Sequence, residues 1–219
     1  FTVGNSPSVV AHLHAAAHIP DSRLRLFTGG VDIDNVASAV PAQRAPLAIP
    51  ETAPLVFWAG RMDPVKGLDD LLDAFAIVRK RFPAFLMLAG SGDYEAAVRQ
   101  RIAMNQLQDC VKLPGRRDDI ASLLATADVF AFPSHTEGMP NALLEAMAAG
   151  KAIVCSDIHG YKGVVRRGQQ ALLVPPKDSD ALAGAIGQLL RDPALRARMG
   201  ESGKERAVQF SWPSVTAKV

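Results

Sequence analysis

Six short apolar runs constrain this chain more than anything else in it: Leu55–Ala59, Phe85–Ala89, Cys110–Leu113, Val129–Phe132, Ala152–Cys155 and Ala171–Val174. Each is closed by turn residues, and most show no polar/apolar alternation. That pattern predicts strands buried on both faces, as in a parallel sheet with helices on each side. Helically spaced apolar residues lie between the runs: Leu68, Leu71, Leu72, Phe75 and Val78 in one segment, Leu182, Ala185, Ile186 and Leu189 in another. Asp192-Pro193 reads as a helix start, a capping acid followed by proline at the first helical position, with Leu195 and Met199 facing one side. The repeated order of strand and helix predicts a doubly wound α/β domain over roughly Pro54–Phe210. Outside it, Phe1–Ala17 reads as a strand end followed by a helix, and Gly29-Gly30-Val31-Asp32 as a turn. Ala37–Glu51, rich in Ala and Pro, reads as a linker, and the tail from Phe210 to Val219 as the start of a last helix.

Composition excludes several classes. The chain has 219 residues, 48% of them hydrophobic, and a formal net charge of +2, which rules out intrinsic disorder. The longest apolar stretches, Ala127–Pro133 and Asn141–Gly150, fall short of the ~18 residues a spanning helix needs. With 24 basic and 22 acidic residues there is no field that demands nucleic acid, and no nucleic-acid partner is expected. Cys110 and Cys155 read as buried thiols rather than a disulfide or zinc site. His12, His14 and His18 have helical spacing but no nearby acids or cysteines, so no metal site is expected. The opening residues lack a secretory signal and an initiator Met, and read as beginning in mid-strand with a piece missing upstream.

Ligands of open α/β sheets bind beyond the carboxyl ends of the strands, so the loops after the runs carry the candidate chemistry. Gly60-Arg61-Met62-Asp63-Pro64-Val65-Lys66-Gly67 follows the first run. Its two cations, five residues apart, can converge on one diphosphate, lysine as a point charge and arginine as a planar fork. The plainer reading is a solvated turn. The GxxxxGK[ST] pattern of a Walker loop is absent. Gly90-Ser91-Gly92-Asp93 reads as an ordinary strand-to-helix turn. In Pro114-Gly115-Arg116-Arg117-Asp118-Asp119 the arginines can line a nucleotide pocket or sit on the surface, while an aspartate caps the next helix.

The most informative stretch runs from Pro133 through Ser134-His135-Thr136-Glu137-Gly138-Met139-Pro140 into Asn141–Met147. Pro140 suits a first helical position, which leaves the amides of Asn141, Ala142 and Leu143 as an anion site. Asn141 and Glu145, four apart, share a helical face. Glu137 precedes the helix and Glu145 lies a turn inside it, so the two acids can reach different parts of one ligand. A carboxylate accepting two hydroxyl hydrogen bonds is a natural grip for a vicinal diol. The alternative is two ordinary acids, one of them on a solvated face, although the apolar flanks of Glu145 argue against that. His135 reads as a loop histidine with local hydrogen bonds, and Ser156-Asp157-Ile158-His159-Gly160 as a border of the same cleft.

The pattern E-G-M-P-N-A-L-L-E at Glu137–Glu145 resembles the E-x7-E signature of retaining GT-B glycosyltransferases of family four. Gly60-Arg61 with Lys66-Gly67 is similar to the family's G-R-x-x-x-x-K-G loop, and Gly90-Ser91-Gly92 to its G-x-G turn. Val111–Gly115, Ala127–Phe130, Ala149–Val154, Leu172–Pro175 and Phe210–Trp212 resemble further family segments in order, and Gly29–Asp32 resembles the family's N-G-V-D. The chain departs at Gly29, where the family usually has Asn, and at His135. The resemblance implies a Rossmann-like parallel sheet forming the C-terminal half of a GT-B fold. Residues 1–50 would be the end of the N-terminal domain and the interdomain linker, 51–210 the nucleotide-sugar-binding domain, and 211–219 the start of the closing helix.

It further implies transfer of a sugar from a UDP- or GDP-linked donor to an acceptor hydroxyl with retained configuration and no required cofactor or metal. Arg61 and Lys66 would hold the diphosphate, Glu137 the sugar, and Glu145 the ribose. Gly60 belongs to the phosphate loop, Leu113 to Arg117, Gly115 and Arg116 among them, would border the base, and the segment Gly138, Met139, Pro140, Asn141 and Leu144 would help fix sugar and phosphate. The acceptor, a glycan or glycolipid, would meet the other, N-terminal domain, so this chain alone is expected to bind donor and turn over little. Two alternatives are a nucleotide-sugar-binding module without transferase activity and a GT-B-like sugar-nucleotide epimerase. A cytoplasmic location follows, with peripheral contact at the inner membrane face. Arg79-Lys80-Arg81 and Arg166-Arg167 read first as solvated charge, with anionic lipid as the alternative.

Overall fold

The computed structural model describes residues 1–4, 7–26 and 29–217. In chain order its elements are β1 (Thr2–Gly4), α1 (Pro7–Ala17), β2 (Leu24–Leu26), α2 (Ile33–Ala37), β3 (Leu55–Ala59), α3 (Leu68–Arg79), β4 (Phe85–Ala89), α4 (Glu95–Met104) and β5 (Val111–Gly115). They continue as α5 (Ile120–Thr126), β6 (Val129–Phe132), α6 (Asn141–Ala148), β7 (Ala152–Ser156), β8 (Ala171–Val174), α7 (Ser179–Arg191), α8 (Pro193–Ala207) and α9 (Trp212–Thr216).

Strands β3 to β8 form one parallel sheet in the order β5-β4-β3-β6-β7-β8, and β1 pairs with β2 in a separate parallel ribbon. The apolar runs fill both faces. Every residue of β3, β6 and β7 is buried, and the rings of Phe57 and Phe130 meet edge to face 6.0 Å apart across the central pair. Four runs coincide with their strands and β7 extends by Ser156. The third shifts: Cys110 turns its N–H back to the Leu107 carbonyl (3.1 Å), while Pro114 and Gly115 continue the strand. A proline is tolerated there because β5 is a sheet edge.

The helices behave as their spacing predicts. Leu68, Leu71, Leu72, Phe75 and Val78 are buried on α3, and Leu182, Ile186 and Leu189 on α7. Asp192 accepts the Leu195 N–H at 2.8 Å and Pro193 opens α8. The segment read as a linker is not a free tether. Arg44 donates to the Thr126 carbonyl (2.9 Å) and Thr126 Oγ1 to the Ala42 carbonyl (3.1 Å), which fastens it to the end of α5. Val31 and Ser211 form a parallel bridge, so the segment before the sheet and the tail after it lie side by side. Among the described residues no helix is long and apolar enough to cross a membrane.

The consequence for function lies in the strand order. The chain builds outward from β3 to β5, then returns to lay β6 on the opposite side of β3. The carboxyl ends of β3 and β6 therefore part into a crevice, where doubly wound sheets bind ligands.

Candidate functional site

The loops leaving β3, β4 and β5 and the first turn of α6 enclose a cavity of about 350 Å³ at this crevice. Gly60, Arg61, Arg116, Arg117 and Glu145 line it, together with Gly90, Ser91 and Ala142. Glycine is required on its floor. Gly90, with φ +151°, backs onto the Gly60 carbonyl so closely that a Cβ would lie 1.8 Å from that oxygen. Arg61 reaches Asp63 at 2.8 Å with 73% of its side chain exposed. Arg117 is held by both oxygens of Asp119 (2.8 and 2.7 Å), which keeps that carboxyl below the usual range. Arg116 has no ion-pair partner among the described residues and is exposed.

Glu145 is the acid of this cavity. No hydrogen-bond donor reaches it among the described residues, and burial raises its pKa above the ordinary carboxylate value. It stands between two hollows. The second, about 450 Å³, is lined by Asn35 and Ser38 at α2 and by Asp118 and Asp119. Local spacing did not reveal α2 as a wall of the site, because its place beside α5 and α6 is set by contacts distant in sequence, the crossing of Val31 and Ser211 among them.

Lys66 and Glu137 do not line the 350 Å³ cavity but meet beside it. Lys66 Nζ donates to Glu137 Oε1 at 2.7 Å, and Ser134 Oγ donates to the same oxygen at 2.8 Å. The side chains are only 18% and 9% exposed, and the ammonium lies 5.9 Å from the Phe132 ring centroid. The loop after β7 supports Glu137 from behind: Gly160 sits against its carbonyl, where a Cβ would come within 2.3 Å. Tyr161 beneath donates to the Phe132 carbonyl at 3.3 Å.

The start of α6 differs from the expectation. Pro140 is the residue before the helix, with φ −84° and ψ 82°, and not its first residue. The Asn141 N–H turns to the Met139 carbonyl (3.1 Å) and the Leu143 N–H to the Pro140 carbonyl (2.9 Å). From Gly138 to Leu143, the amides without an internal partner among the described residues are those of Gly138, Met139 and Ala142. Ala142, not Asn141, shares the cavity with Glu145. The Asn141 amide oxygen and the Met139 side chain instead pack on Gly29, where a Cβ would lie 2.2 and 2.7 Å from them. Leu144 is fully buried and its N–H bonds the Pro140 carbonyl (3.2 Å), so it belongs to the core.

Gly115 ends β5 with φ +74°, and its carbonyl accepts the Gly90 N–H at 2.8 Å. Leu113 and Pro114 face a different hollow of about 600 Å³ along the sheet edge, which contains no carboxylate. The basic segments behave as surface charge: Lys80 and Arg81 are exposed, and Arg167 pairs with Asp157 at 2.6 Å.

Comparison with known proteins bears on the family and the fold. The family model described as Glycosyl transferases group 1 matches residues 40–206. A phosphatidyl-myo-inositol mannosyltransferase of Mycobacterium leprae is 35% identical over 195 residues, covering 87% of this chain and 50% of that protein. A GDP-mannose-dependent monoacylated alpha-(1-6)-phosphatidylinositol monomannoside mannosyltransferase of Corynebacterium glutamicum is 34% identical over 198 residues, covering 84% of this chain and 51% of that protein. The crystal structure of Anabaena Alr3699/HepE in complex with UDP-glucose superposes with a TM-score of 0.87 at 24% identity, covering 99% of this chain and 61% of that one.

The chain belongs to the group 1 glycosyl transferases, and its sheet is the Rossmann-like half of their GT-B fold. It spans about half the length of the curated relatives it matches.

Proposed function

We propose that residues 51–210 are the donor-binding domain of a retaining glycosyltransferase. It would hold a UDP- or GDP-linked sugar whose transfer to an acceptor hydroxyl takes place against a second domain. The observation that carries this reading is the shared cavity: Arg61 and Arg116 face the lone carboxylate of Glu145 across about 350 Å³ at the switch point of the sheet. Glu145 accepts the ribose hydroxyls. Arg61 and Lys66 neutralise the diphosphate and the charge that builds on it as the glycosidic bond breaks, with no metal ion assigned to that task. Glu137 and the amides of Gly138 and Met139 fix the transferred sugar. The named relatives support a nucleotide-sugar donor and a lipid-linked acceptor.

Calorimetric titration of this chain with UDP, GDP and their sugar conjugates tests the reading. One nucleotide diphosphate should bind, and a ligand at 100 times its Kd should stabilise the fold by about 2.7 kcal/mol. Glu145→Gln should lower that affinity about tenfold or more. Unchanged affinity would remove Glu145 from the site. NMR of the anomeric proton in the product of the longer protein tests retention, and an inverted linkage would overturn it.

A further inference from the structure

The loops leaving β3 and β6 touch at three points within a few residues, and a fourth contact ties the β6 loop to α3. Lys66 Nζ meets Glu137 Oε1 at 2.7 Å, and the Val65 carbonyl accepts the His135 N–H at 2.7 Å. Gly67, with φ +66°, backs onto the Pro133 carbonyl, where a Cβ would come within 2.1 Å. The fourth contact, His135 Nε2 to Asp70 Oδ2 at 2.6 Å, has no part in the chemistry proposed above. Neither residue lines the cavity, yet their side chains are only 26% and 20% exposed. Asp70 lies in the first turn of α3, so this contact anchors the β6 loop to a helix and not to another loop.

We propose that His135 and Asp70 are a positioning pair: they hold the β6 loop on α3 so that Lys66 and Glu137 stay in register for the donor, without touching it. The proposal rests on the donor-binding reading. Lysine carries three N–H donors, so Lys66 can keep Glu137 and still reach a phosphate oxygen, provided the two loops do not shift. With the anchor cut, the ammonium and carboxylate lose their common frame. The diphosphate must then order both on arrival, which weakens binding.

The test is calorimetric titration of this chain with UDP and with GDP, in His135→Ala, His135→Gln, Asp70→Ala and the double alanine variant, with melting temperatures measured alongside. His135→Ala should weaken the diphosphate that binds by about tenfold. His135→Gln, whose amide can still donate to Asp70, should restore most of that loss. The double variant should bind no more weakly than His135→Ala alone, because the two residues act as one unit. Unchanged affinity in His135→Ala overturns the pair, as does a glutamine variant that melts like the parent but binds like the alanine variant. Binding that survives Lys66→Ala and Glu145→Gln overturns the donor-binding reading and the pair with it. Binding lost in those two but intact in His135→Ala overturns the pair alone.

Discussion

The two sides of the crevice are built differently. Where the loops leaving β3 and β6 meet, Lys66, Ser134, His135 and Asp70 are satisfied by one another or by Glu137, and Gly67 and Gly160 seat the backbone against neighbouring carbonyls. Around the cavity, among the described residues, the Glu145 carboxyl has no donor, Arg116 has no acid, and Arg61 reaches only Asp63 with most of its length in solvent. One wall is organised before any ligand arrives, and the other leaves its hydrogen-bonding capacity open. A preformed wall costs the ligand little ordering but contributes to folding, whereas an open wall contributes to binding and little to folding. Substitutions on the paired wall should therefore lower the melting temperature, and those on the open wall should lower affinity alone.

The largest effect on stability belongs to Gly67→Ala. The residue sits at φ +66° with the Pro133 carbonyl in the way of any Cβ. Left-handed strain and a backbone clash together should destabilise by about 3 kcal/mol or more. At roughly 2–4 °C per kcal/mol for a chain of this size, thermal unfolding should show it clearly. An unchanged melting temperature would mean that the two loops are not locked together.

Lys66→Met comes next. It keeps a long apolar side chain but leaves the mostly buried Glu137 with Ser134 as its side-chain donor. Stranding a charged acceptor should cost about 2 kcal/mol or more, read as a lower denaturant midpoint with unchanged m. Glu137→Gln combined with Lys66→Met should recover part of that loss, because the stranded charge is then gone. If the double variant is as unstable as the sum of its parts, the ion pair is not what joins the walls.

The sequence made the open wall easier to read than the paired one. Arg61 and Arg116 each follow an apolar run closely and Glu145 lies a turn inside the helix after another, so strand order and helical spacing bring those positions together. The strands themselves were legible because double-faced burial leaves unbroken runs such as Leu55–Ala59. The tie between His135 and Asp70 spans 65 residues and obeys no local period, so nothing in the spacing of either segment announces it. The same holds for α2, a single short turn of helix placed by the bridge between Val31 and Ser211. The amides before α6 were misassigned because the expected motif put Pro140 inside the helix. The turn at Met139–Asn141 takes up one donor and frees others.

Glu145→Gln should separate folding from binding in opposite directions. Burial raises the Glu145 pKa in the folded chain, so the folded state binds its proton more tightly than the unfolded one. Stability from this group is then highest at low pH. It falls as pH rises from the ordinary carboxylate value through the raised folded one, where the unfolded chain ionises first. At neutral pH the glutamine variant, with no charge to desolvate, should be at least as stable as the parent and should lose that pH slope. Its nucleotide affinity should fall all the same. A variant that is both less stable and unchanged in binding would make Glu145 a structural acid and erase the contrast between the walls.

The smallest change in stability is expected at Arg61. Its side chain is 73% exposed and its single ion pair, with Asp63, is of the solvent-screened kind that contributes at most about 1 kcal/mol. Arg61→Ala should leave the melting temperature within about two degrees, since surface substitutions of this sort stay within about 0.5 kcal/mol. Affinity for the nucleotide diphosphate should nevertheless drop about tenfold or more, because a guanidinium fork on a phosphate is a charge-assisted contact stronger than a neutral hydrogen bond. The loss should shrink as salt is raised, since an exposed cation is screened and the mostly buried Lys66 is screened far less. Titrations of the two alanine variants at low and high ionic strength therefore sharpen the comparison. If Lys66→Ala shows the same salt dependence as Arg61→Ala, the paired wall is as exposed to solvent as the open one.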